Sequence, residues 1–200
     1  MLATGAADAA VSGRVLDAHG KGVPGAVVFV QAPSAEAPAT SRAASMDQVD
    51  KTFVPGLLPV AVGTRVRFPN HDQIHHHVYS FSRTKSFELP LYKGTDAPPV
   101  LFDKPGVVKV ACNIHDWMSA IILVLPTTHF AVTDANGSFT LTGLPTGSYE
   151  LAVWHERSRL KVEATSQRVT VAAQAPAVTF TLPLTAARAR PAVHGARKDL

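Results

Sequence analysis

Cys112-Asn113-Ile114-His115-Asp116-Trp117-Met118 puts a thiol, an imidazole and a thioether in one short loop, and Cys112 is the only cysteine of the chain. The spacing is C-x2-H-x2-M. Cys, two His and a weak axial Met form the ligand set of a mononuclear copper electron-transfer site. The second histidine has candidates upstream, in Asn70-His71-Asp72-Gln73-Ile74-His75-His76-His77-Val78-Tyr79. Copper needs soft sulfur and imidazole nitrogen together, from ligands that move little when its charge changes. The flanks of the loop suit that need. Val107 to Ala111 before it and Ala120 to Leu125 after it are aliphatic and β-branched, as buried strands are. The loop is thus expected to join two strands of one sandwich, which hold a site more rigidly than free loops do.

These residues resemble the cupredoxins. The run from Phe53-Val54-Pro55 through Val60 to Asn70 is similar to their opening strands, and residues 70–78 match their N-x-D-x-x-x-H-x-V run. The resemblance covers about residues 44–126, and the ligand loop has the short form of amicyanin. It implies a Greek-key sandwich holding copper through His76, Cys112, His115 and Met118. Two positions depart from the pattern. His77 stands where many cupredoxins have an Asn that braces the cysteine loop. Asp116 stands where amicyanin has Pro.

Other chemistries fit these residues less well. A single buried cysteine is often a small hydrophobe, a methionine often fills a core, and three histidines can be a solvated loop. Those readings would have to coincide at this spacing. Zinc sites seldom use methionine. A binuclear copper centre needs a second bridging cysteine. A Cys-His nucleophile pair needs a third orienting group and a substrate pocket.

Composition sets the class. The 200 residues are 46% hydrophobic, with 13 Gly and 15 Pro, and Val and Thr are abundant, so an all-β chain is expected. No apolar run has the length of a membrane span. The formal charge of +4 gathers partly in the stretch 185–200, which lacks periodicity and reads as a disordered tail. There is no interleaved basic and aromatic patch for nucleic acid. One cysteine excludes an internal disulfide and leaves the redox compartment open. Residues 1–10 lack a basic n-region, yet Ala7-Asp8-Ala9 has the small-x-small pattern of a cleavage site. The expectation is that the recorded start lies inside a longer signal peptide.

Similar grammar recurs on both sides of the copper motif. Residues 11–30 read as strand, Gly-rich turn, strand, and 32–40 as a linker. Residues 130–142 read as strand, Asp134-Ala135-Asn136-Gly137 turn, strand; further strands follow at 148–155, 166–172 and 177–184. Joined, 11–31 and 127–184 resemble the carboxypeptidase regulatory-like domain, a transthyretin-like β-sandwich. Its pattern appears as Gly13, Val15, Asp17, Gly20, Gly25, Ala26, Val28 and Val30, then Thr133, Asp134, Gly137, Phe139, Leu141, Leu144, Pro145, Gly147, Tyr149 and Leu151. The expected architecture is therefore all-β, with a cupredoxin Greek-key sandwich (44–126) inserted in a split transthyretin-like sandwich. Trp154 is read as a core or edge residue, and His155, His19, His129 and His194 as solvated.

The combination is similar to bacterial methylamine utilization proteins. It implies a periplasmic copper protein, not an enzyme, that carries single electrons between redox partners such as a dehydrogenase or a cytochrome. A copper-delivery module using His75 and His77 is the alternative, and an enzyme with Cys112 as nucleophile the third possibility. Trp117 is expected either to cover the metal or to form part of a docking patch.

Overall fold

The computed structural model describes residues 8–31, 43–172 and 176–186. The expected linker, His194 and almost all of the expected tail lie outside them. Among the described residues the chain is all-β, as its composition indicates, apart from one 3-10 turn at Val162–Thr165. Contacts divide the described residues into two units, one from 8–31 with 126–172 and 176–186, the other from 43–125.

The first unit contains β1 (Asp8–Leu16), β2 (Val27–Val30) and β13 (Phe130–Val132) to β17 (Val178–Thr181), with β14 at Ser138–Pro145, β15 at Gly147–Trp154 and β16 at Gln167–Val171. β1 lies between β14 and β17, and β2 between β13 and β15, with β16 outermost. The two early strands thus find their partners far along the chain. Alternate residues of the two sheets meet in one core, among them Val11, Val15, Val28, Val30, Phe139, Leu141, Leu151 and Phe180.

Turn chemistry sets the register. Asp17 Oδ1 accepts the amides of His19 and Lys21, and Asp134 Oδ1 those of Asn136 and Ser138. Gly137 closes the second turn at φ +75°, and a Cβ there would lie 2.4 Å from the Val15 carbonyl oxygen, so only glycine fits. Thr133 joins the halves: its buried hydroxyl donates to Val23 O (2.6 Å) and accepts from Ala26 N (2.8 Å). Thr133→Val keeps the shape and strands both partners. Chemical denaturation should show a loss of about 2–6 kcal/mol, since each of the two buried groups left unpaired costs about 1–3 kcal/mol.

His155 corrects an expectation. It is buried at 8% exposure rather than solvated. Its Nδ1 accepts the Arg157 amide and its ring donates a hydrogen bond to the Pro24 carbonyl, and burial pushes its pKa below the ordinary value. His19 is exposed, and His129 is half-buried.

The second unit contains β3 (Ala43–Ser45), β4 (Asp47–Val49), β5 (Thr52–Val54), β6 (Leu57–Ala61), β7 (Thr64–Arg67), β8 (His76–Phe81), β9 (Ser86–Tyr92), β10 (Val100–Phe102), β11 (Gly106–Ala111) and β12 (Ser119–Leu125). A five-stranded sheet runs β6-β12-β11-β8-β9; a three-stranded sheet runs β10-β7-β3; β4 and β5 form a ribbon. The core includes Val60, Val66, Phe68, Val78, Phe102, Val108, Val110 and Ile122, and at one end Cys112 and Met118. β8 and β11 are neighbours, with Ala111 opposite Tyr79. The residue just past β11 therefore lies beside the start of β8.

Candidate metal centre

The loop 112–118 closes a hairpin. β11 and β12 pair in register from Gly106↔Val124 to Ala111↔Ser119. The turn is folded on itself: the Cys112 amide donates to the Met118 carbonyl (3.0 Å), and the Met118 amide to the His115 carbonyl (2.9 Å). Cys112 (4% exposed) and Met118 (1%) point into the core, and His115 is half-buried.

Burial separates the three histidines. His76, the first residue of β8, is fully buried, and His77, next along the strand, faces away from the core and is half-buried. His75 precedes the strand and is exposed. His77 donates to or accepts from Glu88 Oε1 at 2.9 Å and stacks on Tyr79, with ring centroids 5.2 Å apart. The position that braces the cysteine loop in many cupredoxins is engaged here with β9 instead.

His76, Cys112 and His115 offer ligand atoms that all lie within 4.8 Å of one another, and among the described residues they form the one such group. Cys112 Sγ is 3.9 Å from His76 Nδ1 and 3.7 Å from His115 Nδ1. The two imidazoles sit edge to face, centroids 5.0 Å apart. An ion at about 2.3 Å from sulfur and about 2.0 Å from nitrogen, as in zinc sites, would hold trigonal ligand atoms about 3.8 Å apart. The two sulfur–nitrogen separations match that spacing. Met118 is buried in the same core cluster as Cys112 and lies at the end of the same loop.

One side of the site is polar, the other apolar. Asp72 Oδ2 lies 2.6 Å from His76 Nε2. Partial burial works to raise the pKa of Asp72, but hydrogen bonds from His76 and from the Lys51 and Asp50 amides outweigh it and hold the carboxyl below its usual range. Partial burial, aided by nearby His76 and Lys51, lowers the pKa of His115. At the surface His115 is flanked by Trp117, 5.4 Å away between ring centroids and 36% exposed, and by Ile114, 49% exposed. Asp116 is exposed.

The supporting residues carry little signal in the sequence. Asp72 is visible there only as a letter of the N-x-D run. Tyr92, the cross-strand partner of His76, is half-buried, and its hydroxyl donates to the Phe68 carbonyl and accepts from Gln48 Nε2 at 2.6 Å. Burial pushes its pKa up to about 12. No helix of the described residues is long and apolar enough to cross a membrane.

No curated protein matches the chain. Among solved structures, a novel purple cupredoxin from Nitrosopumilus maritimus is 24% identical, covering 41% of this chain and 99% of that one, at a TM-score of 0.37. A copper-containing nitrite reductase from Thermus scotoductus is 26% identical over 48% of this chain, at a TM-score of 0.40, and the alignment takes in only 25% of the reductase. An oxidised point mutant of amicyanin is 18% identical, covering 49% of this chain and 98% of its own, at a TM-score of 0.38. Residues 118–184, about a third of the chain, match the family model of the carboxypeptidase regulatory-like domain.

Proposed function

We propose that this is a mononuclear copper protein that carries single electrons and performs no catalysis of its own, with His76, Cys112, His115 and Met118 as ligands. The observation that carries the reading is the triangle of one thiol sulfur and two imidazole nitrogens, with Sγ to Nδ1 separations of 3.9 and 3.7 Å. Copper bound there would supply a one-electron couple. The protein's part is to keep the donors still. His76 starts a paired strand, Cys112 and Met118 bracket a hydrogen-bonded turn, and all three are buried. Met118 favours copper over zinc, because a thioether is a soft donor.

His115 is the donor nearest solvent, and its apolar rim of Ile114 and Trp117 supports electron exchange by contact with another protein. The position of His75 on the exposed side and the engagement of His77 by Glu88 support a closed carrier site over copper delivery through those histidines. The proposal further takes residues 44–126 as a copper domain inserted in a regulatory-like sandwich, places the protein in the periplasm and gives it a redox protein as partner; these parts rest on the sequence resemblance.

Electron self-exchange tests the exit route without needing the partner's identity. Trp117→Glu puts like charges on the two faces that must meet. Its self-exchange rate constant, read from NMR line broadening of mixed redox states, should fall about tenfold, the effect of about 1.4 kcal/mol at a contact residue, with the visible spectrum kept. An unchanged rate constant would place the exit elsewhere.

A further inference from the structure

The buried imidazole His76 has two faces. Its Nδ1 points to Cys112 Sγ and its Nε2 meets Asp72 Oδ2 at 2.6 Å. Asp72 in turn is held by a turn of unusual backbone. Asp50 and Lys51, between β4 and β5, are non-glycine residues in the left-handed region, at φ +51° and +57°. That conformation is costly for residues with a Cβ, and surrounding structure must maintain it. Here it aims two successive amides at one carboxylate: Asp50 N donates to Asp72 Oδ1 (2.6 Å) and Lys51 N to Asp72 Oδ2 (2.8 Å). The other side of the Asp72 segment is pinned as well. Its amide donates to Asn70 Oδ1 (3.0 Å), while Asn70 Nδ2 donates to the carbonyls of Ile74 (2.9 Å) and Tyr92 (3.0 Å).

We propose that Asp72, fixed by the amides of the Asp50-Lys51 turn, is a positioning residue: it selects the Nε2–H tautomer of His76, leaves Nδ1 free as a donor before any metal arrives, and biases the couple toward the oxidised ion. An imidazole has one proton to place when neutral, and the partner of one nitrogen decides what the other can do. A carboxylate accepts only, so the proton goes to Nε2. The carboxylate's charge passes through the ring to the bound ion and favours the higher-charged state. Asparagine at 72 has one accepting oxygen for three donors and cannot reproduce the arrangement.

The tautomer part stands without metal; the potential part rests on the copper reading. The test therefore has two arms. In the metal-free protein, a long-range proton–nitrogen NMR spectrum should show His76 protonated at Nε2, and Asp72→Ala should populate the Nδ1–H form. In the copper-loaded protein, Asp72→Ala should weaken Cu(II) binding about 10- to 100-fold, the usual effect of losing such a partner, with the visible band retained. Asp72→Asn, carried in parallel because it preserves size, should favour the reduced form. A tenfold change in the Cu(II) to Cu(I) affinity ratio would raise the potential by about 59 mV. Nδ1–H on His76 in the wild-type metal-free protein would overturn the proposal, as would wild-type affinity and potential in both variants. Failure of the wild type to bind copper, with Nε2–H observed, would overturn the copper reading and leave the tautomer assignment intact.

Discussion

Cys112→Ser should abolish the visible absorption of the copper-loaded protein. The band requires a thiolate-to-copper charge transfer, and Cys112 is the only sulfur of its kind in the chain. Serine is close in size, so the site should not collapse: Cys112 is 4% exposed, and its amide bond to Met118 is a backbone contact that the substitution leaves in place. The metal-free variant should keep its β-sheet circular dichroism, with a stability loss of about 1–2 kcal/mol from setting a hydroxyl against apolar neighbours. Any copper it retains should be colourless or weakly absorbing. A band of undiminished intensity would remove Cys112 from the ligand set.

Three adjacent histidines should behave very differently. His76→Ala should lose the copper spectrum, because His76 is fully buried with Nδ1 facing Cys112. His75→Ala should keep it, since His75 is exposed, just ahead of the strand. His77→Ala should also keep the band, because its ring is tied to Glu88 and Tyr79. Removing His76 also strips Asp72 of a partner and opens a cavity, so unfolding must be separated from ligand loss. His76→Gly with added imidazole makes that separation: a restored band shows an intact site missing one ring. Copper lost in His75→Ala and kept in His76→Ala would mean a strand register wrong by one residue.

The readable parts of the sequence were those where chemistry or turn geometry leaves few options. Cys112, His115 and Met118 share one short loop between two aliphatic runs, and the observed β11 and β12 occupy those runs. Period-two alternation within β8 puts His76 on the opposite side from His77, while His75 lies ahead of the strand. The Asp17 and Asp134 turns carried their signal in side chains that cap local amides. What stayed hidden depended on distant partners. Nothing local reports that Glu88 on β9 takes His77, or that the Pro24 backbone hydrogen-bonds His155. β3, β4 and β10 are three residues each, too short to show a period, and β9 is interrupted by Pro90. The Asp50-Lys51 turn has neither glycine nor asparagine, and a single Asp is a weak marker for two successive left-handed residues and the clamp they make on Asp72.

The most direct test is a titration of the metal-free protein with Cu(II), followed by its visible spectrum. One intense thiolate charge-transfer band should grow linearly and stop at one copper per chain. It should bleach on reduction and recover fully on reoxidation, with no metal released. A chain that binds copper without that band, or that gives up the metal on reduction, would contradict the electron-carrier reading.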